Sequence, residues 1–308
     1  MATATPHAAP LPRWLGIVLM IAITATFASN HVAARLAFDH GANVVTAVAF
    51  RSGGTALAVF CLLKLLGVPF RLAPELRGKA LLIGLALAVQ SYCLYSAVAR
   101  IPVALALLAF NTCPLMLTLI SWAARVEPPS RRAILTMPVA LFGLALALDV
   151  TGANHGKSLD LAGRWLEIGA GMGFALAAAL SFAIVLFLSN RWLKDVDGRV
   201  RSVLTMAVVA VVTIAAGAAT SGFALPADRT GWLGLILLTL FYGTAITSLF
   251  VVLPRLGAVS NAALLNFEPI AALLLGYLIL GQSVAPLQIV GAFIVIGAIV
   301  SLGLAKRG

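Results

Sequence analysis

The chain has 308 residues, of which 62% are hydrophobic and only 10% are charged, and its mean hydropathy is +1.07. A soluble domain carries about 25% charged residues, so a soluble globular fold is excluded, and the high apolar content also excludes disorder. The net charge of +11 comes from single basic residues between apolar runs, which argues against a nucleic-acid partner. A polytopic membrane protein remains.

Ten apolar stretches are long enough to cross the hydrocarbon core of a bilayer as helices, which takes about 17 to 25 residues. We number them spans 1 to 10, and they cover residues 14–36, 44–66, 78–99, 102–123, 131–149, 164–191, 200–222, 230–254, 258–280 and 285–304. The apolar run after the first twelve residues exceeds the core of a signal peptide, so we expect span 1 to be retained. The connections are short, and the function is therefore expected inside an all-α helix bundle.

The distribution of Lys and Arg predicts the orientation. With the N-terminus inside, 15 of these residues fall on the inner side and 5 on the outer side. The positive-inside rule then places both termini in the cytoplasm of a bacterial-type inner (plasma) membrane. All five tryptophans fall near span ends, as expected for the headgroup region.

The two halves of the chain repeat one another. In spans 4 and 9 three residues recur at an offset of 155: Arg100, Asn111 and Pro114 match Arg255, Asn266 and Pro269. In spans 1 and 6 the offset is 152, where Ser29 matches Ser181. Because five spans per half is an odd number, the second half enters the membrane from the opposite side. The sequence thus predicts two inverted five-helix repeats, residues 1–150 and 151–308, an organisation typical of transporters.

These repeated segments resemble the EamA module of the drug/metabolite transporter superfamily. The shared pattern comprises F-A-S-N at 27–30, F-R at 50–51, Pro114 and Glu127 in the first half, and N-F-E-P at 266–269, L-G-Q at 280–282, Gly291 and Gly297 in the second. Gln282 departs from it, since the family usually has an acidic residue there. The resemblance implies a ten-helix secondary transporter, with amino-acid exporters of the YddG type as the nearest subtype.

Other chemistries find little support. The sequence lacks a G-x-x-x-x-G-K motif, so ATP-driven pumping is not expected. An intramembrane enzyme would need a nucleophile paired with a base, yet His31 is the only histidine in a span, and we interpret it as a packing residue. We expect no cofactor and no metal. A multidrug effluxer and a sugar-phosphate or nucleotide-sugar exchanger stay open. An exchanger for phosphorylated substrates is expected to have several Lys or Arg residues in its interior, which counts against that alternative.

The expected partners are a small-molecule substrate and the lipid bilayer, with no nucleic acid. A homodimer is left open. The expected transport is export of small organic metabolites, above all amino acids, by alternating access.

Polar residues inside the spans are the candidates for the substrate site. Pro114 and Pro269 each leave a backbone carbonyl without its helical donor, and Asn111 and Asn266, three residues earlier, either contact substrate or satisfy that break. Span 3 carries a stripe of Tyr92, Tyr95 and Ser96, and span 8 a stripe of Thr244, Thr247 and Ser248, both expected to face the interior. Either stripe could serve interhelical hydrogen bonding instead.

Three further residues complete this set. Asn30 is the larger polar group in span 1. Arg51 and Glu268 are the ionisable residues deepest in the spans, where a charge costs about 2.5 to 3.5 kcal/mol or more. Arg51 either snorkels outward, pairs with Glu268 or serves the substrate. The predicted substrate-binding residues are Asn30, Tyr92, Tyr95, Asn111, Thr247, Asn266 and Glu268.

Overall fold

A computed structural model describes residues 13–70, 72–126, 161–193, 195–220, 222–256, 268–281 and 285–303, together with isolated positions between 135 and 146. These residues contain helices and no strand. The helices are α1 (Arg13–Asp39), α2 (Val44–Leu65), α3 (Pro74–Arg100), α4 (Val103–Phe110), α5 (Cys113–Ala123), α6 (Leu161–Trp192), α7 (Gly198–Thr220), α8 (Arg229–Leu256), α9 (Glu268–Leu280) and α10 (Pro286–Gly303).

The predicted all-α membrane fold is confirmed. Spans 1 to 3, 6 to 8 and 10 are continuous helices that begin and end within a few residues of their predicted bounds, whereas span 4 is divided into α4 and α5. Most of span 5 and the first part of span 9 lie outside the described residues. Six of the described segments are long and apolar enough to cross a membrane.

Polar and apolar side chains are distributed as in a helix bundle that faces lipid. Asn30 and Arg51 are buried, at 0% and 4% exposed, while Leu57 and Leu65 on the same α2 as Arg51 are 65% and 85% exposed. Apolar side chains lose nothing by facing hydrocarbon, but polar groups there must find partners. The interior is therefore where chemistry is concentrated.

The two halves interlock in a pattern that is unchanged when they are exchanged. α1 packs most extensively on α8, and α3 packs almost as extensively on α6. Since α1, α2 and α3 match α6, α7 and α8 in the repeat, exchanging the halves converts the first contact into the second. α2 and α7, which match each other, also pack together. The arrangement is that of two repeats related by a pseudo-twofold axis.

Small residues allow the crossing helices to approach closely. A Cβ placed on Gly234 of α8 would lie 2.8 Å from both the Ala33 carbonyl oxygen and the Ala37 nitrogen of α1. A Cβ on Gly143, in span 5, would lie 2.7 Å from Ile294 Cγ2 of α10. Lipid gives no hydrophobic force between helices, so close van der Waals packing of their backbones is a main source of their association. The glycines thus permit close contact between the two repeats.

The loop after α1 and the loop before α8 are joined at one end of the bundle. The Ala227 amide donates to the His40 carbonyl (2.9 Å), and the Asn43 amide donates to the Ala224 carbonyl (3.3 Å). His40 Nδ1 lies 2.7 Å from Asp228 Oδ2. Counting spans places both loops on the same membrane face, so these contacts agree with the predicted number of crossings between them.

Candidate functional site

The break predicted near Pro114 is present, and it divides span 4 at Asn111 and Thr112. Asn111 Nδ2 donates to the Leu107 carbonyl (2.8 Å), and Thr112 Oγ1 donates to the Ala109 carbonyl (2.7 Å). Both carbonyls lie in the last turn of α4, and each also accepts a backbone N–H, Leu107 from Asn111 (2.9 Å) and Ala109 from Thr112 (3.1 Å). The two side chains thus reinforce the end of α4, and a contact of Asn111 with substrate stays a prediction.

Arg51 of α2 is buried between three neighbours. Its Nη2 donates to Ser91 Oγ of α3 (2.8 Å), and its guanidinium carbon lies 5.1 Å from the ring centroid of Tyr95 and 4.0 Å from that of Tyr242 of α8. A desolvated cation gains about 0.5 to 2 kcal/mol from each aromatic face. These contacts offset part of the cost of burying the charge.

The structure gives Arg51 neither of the two structural roles considered from the sequence. At 4% exposed its side chain does not snorkel outward. Nor does it pair with Glu268, because among the described residues the ion pair of that carboxylate is with His31. Neither snorkelling nor an ion pair with Glu268 therefore accounts for the charge of Arg51 in the interior.

Asn30 of α1 and Tyr95 of α3 were predicted separately and prove to be direct partners. The Tyr95 hydroxyl donates to Asn30 Oδ1 (2.7 Å), and the two residues are 1% and 0% exposed. Such a bond inside a membrane contributes about 0.6 to 2 kcal/mol. It ties the first helix of the repeat to the third.

His31 and Glu268 form the ionisable pair of the site. His31 Nε2 lies 3.4 Å from Glu268 Oε1, with side chains 7% and 18% exposed. The His31 ring lies 5.5 Å from the ring of Tyr95, and its buried Nδ1 has no hydrogen-bond partner within the described part of the chain. The interpretation of His31 as a packing residue missed this contact, since its partner lies 237 positions later in the sequence.

We call this group of residues the central polar cluster. It gathers side chains from α1, α2, α3, α8 and α9 around Tyr95. Its members are Asn30, His31, Arg51, Ser91, Tyr95, Tyr242 and Glu268.

Tyr92 and Thr247 are not members of this cluster. Tyr92 is 45% exposed, with its ring edge-on to Phe174 (6.5 Å between centroids), so the stripe on span 3 faces the interior at Tyr95 and Ser96 but not at Tyr92. Thr247 is half-buried on α8, and Asn266 lies outside the described residues. Sequence reasoning missed Tyr242, for which no spacing signal was recognised.

The cluster combines a permanent cation, a carboxylate and an imidazole in a buried setting. Such a set can bind a ligand that carries both charges, and it can move a proton between His31 and Glu268. Within the described ranges, His, Cys, Asp and Glu residues form no group of three or more that could hold a metal ion.

Comparison with known proteins agrees with this architecture. The chain is 26% identical over 291 residues to the threonine/homoserine exporter RhtA of Escherichia coli strain K12, and 28% identical over 291 residues to the protein of that name in Salmonella typhimurium strain SL1344. Each alignment covers 94% of this chain and 91% of the relative.

A solved crystal structure aligns over 96% of this chain and 100% of its own length, with a TM-score of 0.61 at 19% identity, which supports the fold alone. The model of the EamA-like transporter family matches residues 14–148 and 169–304, which together are most of the chain. The chain therefore belongs to the EamA-like transporter family.

Proposed function

We propose that this membrane transporter exports amino acids by alternating access, driven by a gradient, with threonine and homoserine as the first substrates to test. The observation that carries the proposal is the central polar cluster, which holds groups of opposite charge in the bundle interior. A free amino acid is a small zwitterion, so both of its charges find a counterpart there. The relatives named as threonine/homoserine exporters support the same substrate class.

Glu268 is assigned the titrating or cation-binding role in this proposal. It either exchanges a proton during the transport cycle or binds the ammonium group of the substrate. Its position beside His31 supports both, because an imidazole can share a proton with a carboxylate or yield its place to a substrate cation. Asn30 and Tyr95 position the neighbouring helices, and Thr247 and Asn266 are retained as further contacts in the second repeat.

The proposed repeat bounds and membrane orientation are those predicted from the sequence. Residues 1–150 and 151–308 form the two repeats, both termini are cytoplasmic, and the two repeats are inverted relative to each other. Single cysteines placed near Asn154 would react with an impermeant thiol reagent from outside, and those near Ser130 would not. The reverse labelling would contradict the orientation. The proposal includes no nucleic-acid partner, and it leaves a homodimer open.

Transport in proteoliposomes tests the function. Vesicles loaded with unlabelled threonine should accumulate labelled threonine by counterflow, whereas vesicles loaded with a sugar phosphate or a lipophilic cationic drug should not. The labelled solute should be recovered chemically unchanged, since we propose that the protein is not an enzyme. Self-counterflow of a labelled sugar phosphate or drug, with none of threonine, would replace amino-acid export with one of the other transport classes.

A further inference from the structure

Arg51 is a buried cation that lacks a carboxylate partner among the described residues. The ion pairs in that part of the chain involve other cations, and Arg51 hydrogen bonds instead to the neutral Ser91. A guanidinium stays protonated in proteins, so Arg51 carries a permanent charge. A permanent charge inside a membrane bundle is expected where it faces a polar path or a ligand.

We propose that Arg51 binds the carboxylate of the transported substrate. This assignment rests on the proposed export of amino acids and adds the group that recognises their common anionic end. It also makes the site discriminate against molecules that resemble amino acids but lack the carboxylate.

The contacts of Arg51 restrain its guanidinium on three sides. Ser91 accepts from Nη2, and the rings of Tyr95 and Tyr242 lie on the guanidinium at 5.1 and 4.0 Å. Nε is fully buried and lacks a hydrogen-bond partner in the described ranges, so at least one donor is left for a ligand. A planar guanidinium held in this way is suited to paired hydrogen bonds with the planar carboxylate group.

The position of Arg51 places the carboxylate between the two repeats. Arg51, Ser91 and Tyr95 belong to the first repeat, while Tyr242 belongs to the second. A ligand bound to Arg51 therefore contacts a region whose shape changes when one repeat moves against the other, as alternating access requires.

The available charge favours a carboxylate over a phosphate. A phosphate monoester carries about −1.5 to −2 charges near neutral pH. The cluster supplies one permanent cation, and its other basic group, His31, is already opposite Glu268. A single negative charge matches that balance.

Competition on the wild-type protein tests the assignment without relying on any variant. Labelled threonine counterflow is measured against unlabelled threonine, threonine amide and O-phosphoserine. Threonine amide keeps the ammonium group and the side chain but lacks the carboxylate. It should compete at least about tenfold more weakly than threonine, the scale of one charged hydrogen-bonded contact. Equal competition by the amide, or stronger competition by the phosphorylated compound, would overturn the assignment.

Arg51→Gln should raise the KM for threonine by roughly 10- to 100-fold and abolish the preference for threonine over its amide. Arg51→Lys keeps the charge but loses the planar donor pair, so its KM should be intermediate. Lys64→Gln removes the same charge from the exposed end of α2 and is the matched control. An Arg51→Gln protein with normal KM and preference would overturn the assignment.

The failure of this inference is distinguishable from the failure of the proposed function. Wild-type protein that transports no amino acid would refute the function. Wild-type protein that transports threonine yet does not distinguish it from the amide would refute only the role of Arg51. If Arg51→Gln does not fold, Arg51→Lys, which keeps the charge, supplies the residue-specific measurement, and a normal KM in that variant would overturn the assignment.

Discussion

Two helix crossings that are equivalent in the repeat differ in chemistry. Where α1 meets α9, His31 lies 3.4 Å from Glu268. The matching crossing is that of α6 and α5, where Ala183 corresponds to His31 at the offset of 152 and Cys113 corresponds to Glu268 at the offset of 155. Both residues belong to one buried apolar cluster with Ala179. The same position in the fold is thus occupied by an ionisable pair in one case and by a small apolar contact in the other.

The difference shows that the fold does not require charge at this crossing. Ala183 and Cys113 are 0% and 5% exposed and pack among apolar side chains. Since burying ionisable groups costs free energy, this asymmetric pair supports the proposed function rather than a requirement of folding.

Glu268→Gln removes the carboxylate from the crossing of α1 and α9. This change keeps the shape of the side chain but removes its charge and its titration, so both proposed roles of Glu268 are lost. We expect threonine transport to fall about thirtyfold or more, equivalent to about 2 kcal/mol, while the protein still elutes as a folded species in detergent. Cys113→Ala at the matching crossing should leave transport within about twofold and lower stability by about 1 kcal/mol. Normal transport with an unchanged pH profile in Glu268→Gln would reduce Glu268 to a packing residue.

His31→Ala makes the first crossing resemble the second, since Ala183 is the matching residue. Glu268 keeps its charge but loses the adjacent imidazole. We expect transport to fall about tenfold, or about 1.4 kcal/mol, and its dependence on pH to change. The measurement is counterflow over a range of pH values. A parallel loss at every pH would indicate that His31 supports the helix crossing and takes no part in proton transfer.

Tyr95→Phe sharpens the comparison by testing the support around the pair. The change deletes the hydroxyl that donates to Asn30 and leaves the buried Asn30 Oδ1 without that donor. We expect the free energy of unfolding to fall by about 1 kcal/mol, with the cation–π contact to Arg51 kept. Thermal unfolding in detergent measures the loss, and Tyr92→Phe on the exposed face of α3 is the matched control. Equal stabilities of the two variants would show that the hydrogen bond contributes little.

The fold was largely predictable because hydropathy and charge act locally. Spans 1 to 4, 6 to 8 and 10 correspond to described helices, and Pro114 correctly marked the break at Asn111 and Thr112, since a missing backbone donor has its effect within one turn. The site was less predictable because its contacts are made across the repeats. The spacing of Tyr92 and Tyr95 predicted one stripe on α3. Which of the two is buried depends on the rotation of α3 against α6, and only Tyr95 is buried.

His31 illustrates the same limit. A single histidine in an apolar span has no nearby partner, so sequence alone favours packing. Only the crossing of α1 with α9 brings Glu268 to it, and that crossing is set by the packing of both repeats. Asn30 and Tyr95 were chosen for their polarity, whereas their hydrogen bond to each other depends on the approach of two helices.

The smallest expected effect concerns the loops, where Asp228 joins the two repeats and Asp197 does not. Asp228 accepts from the Gly231 amide (2.8 Å) and lies beside His40, and these hydrogen bonds hold its pKa below the ordinary carboxyl value. Asp197 also has a lowered pKa, chiefly through its side-chain hydrogen bond with Arg199, two residues away. Both carboxylates therefore stabilise the protein fully above the unfolded pKa of about 3.9 and lose that effect as the pH falls through the lower folded value.

Asp228→Asn should thus flatten the loss of thermal stability that the wild type shows below about pH 4. The same flattening is expected for Asp197→Asn, because the linkage depends on the pKa and not on what the group joins. The two variants should differ at neutral pH, where only Asp228→Asn weakens a link between the repeats and so changes the rate of counterflow. Unfolding followed by tryptophan fluorescence, with counterflow on the same preparations, measures both effects. If Asp197→Asn alters counterflow as much as Asp228→Asn does, the link between the repeats at the His40 loop has no special part in their relative motion.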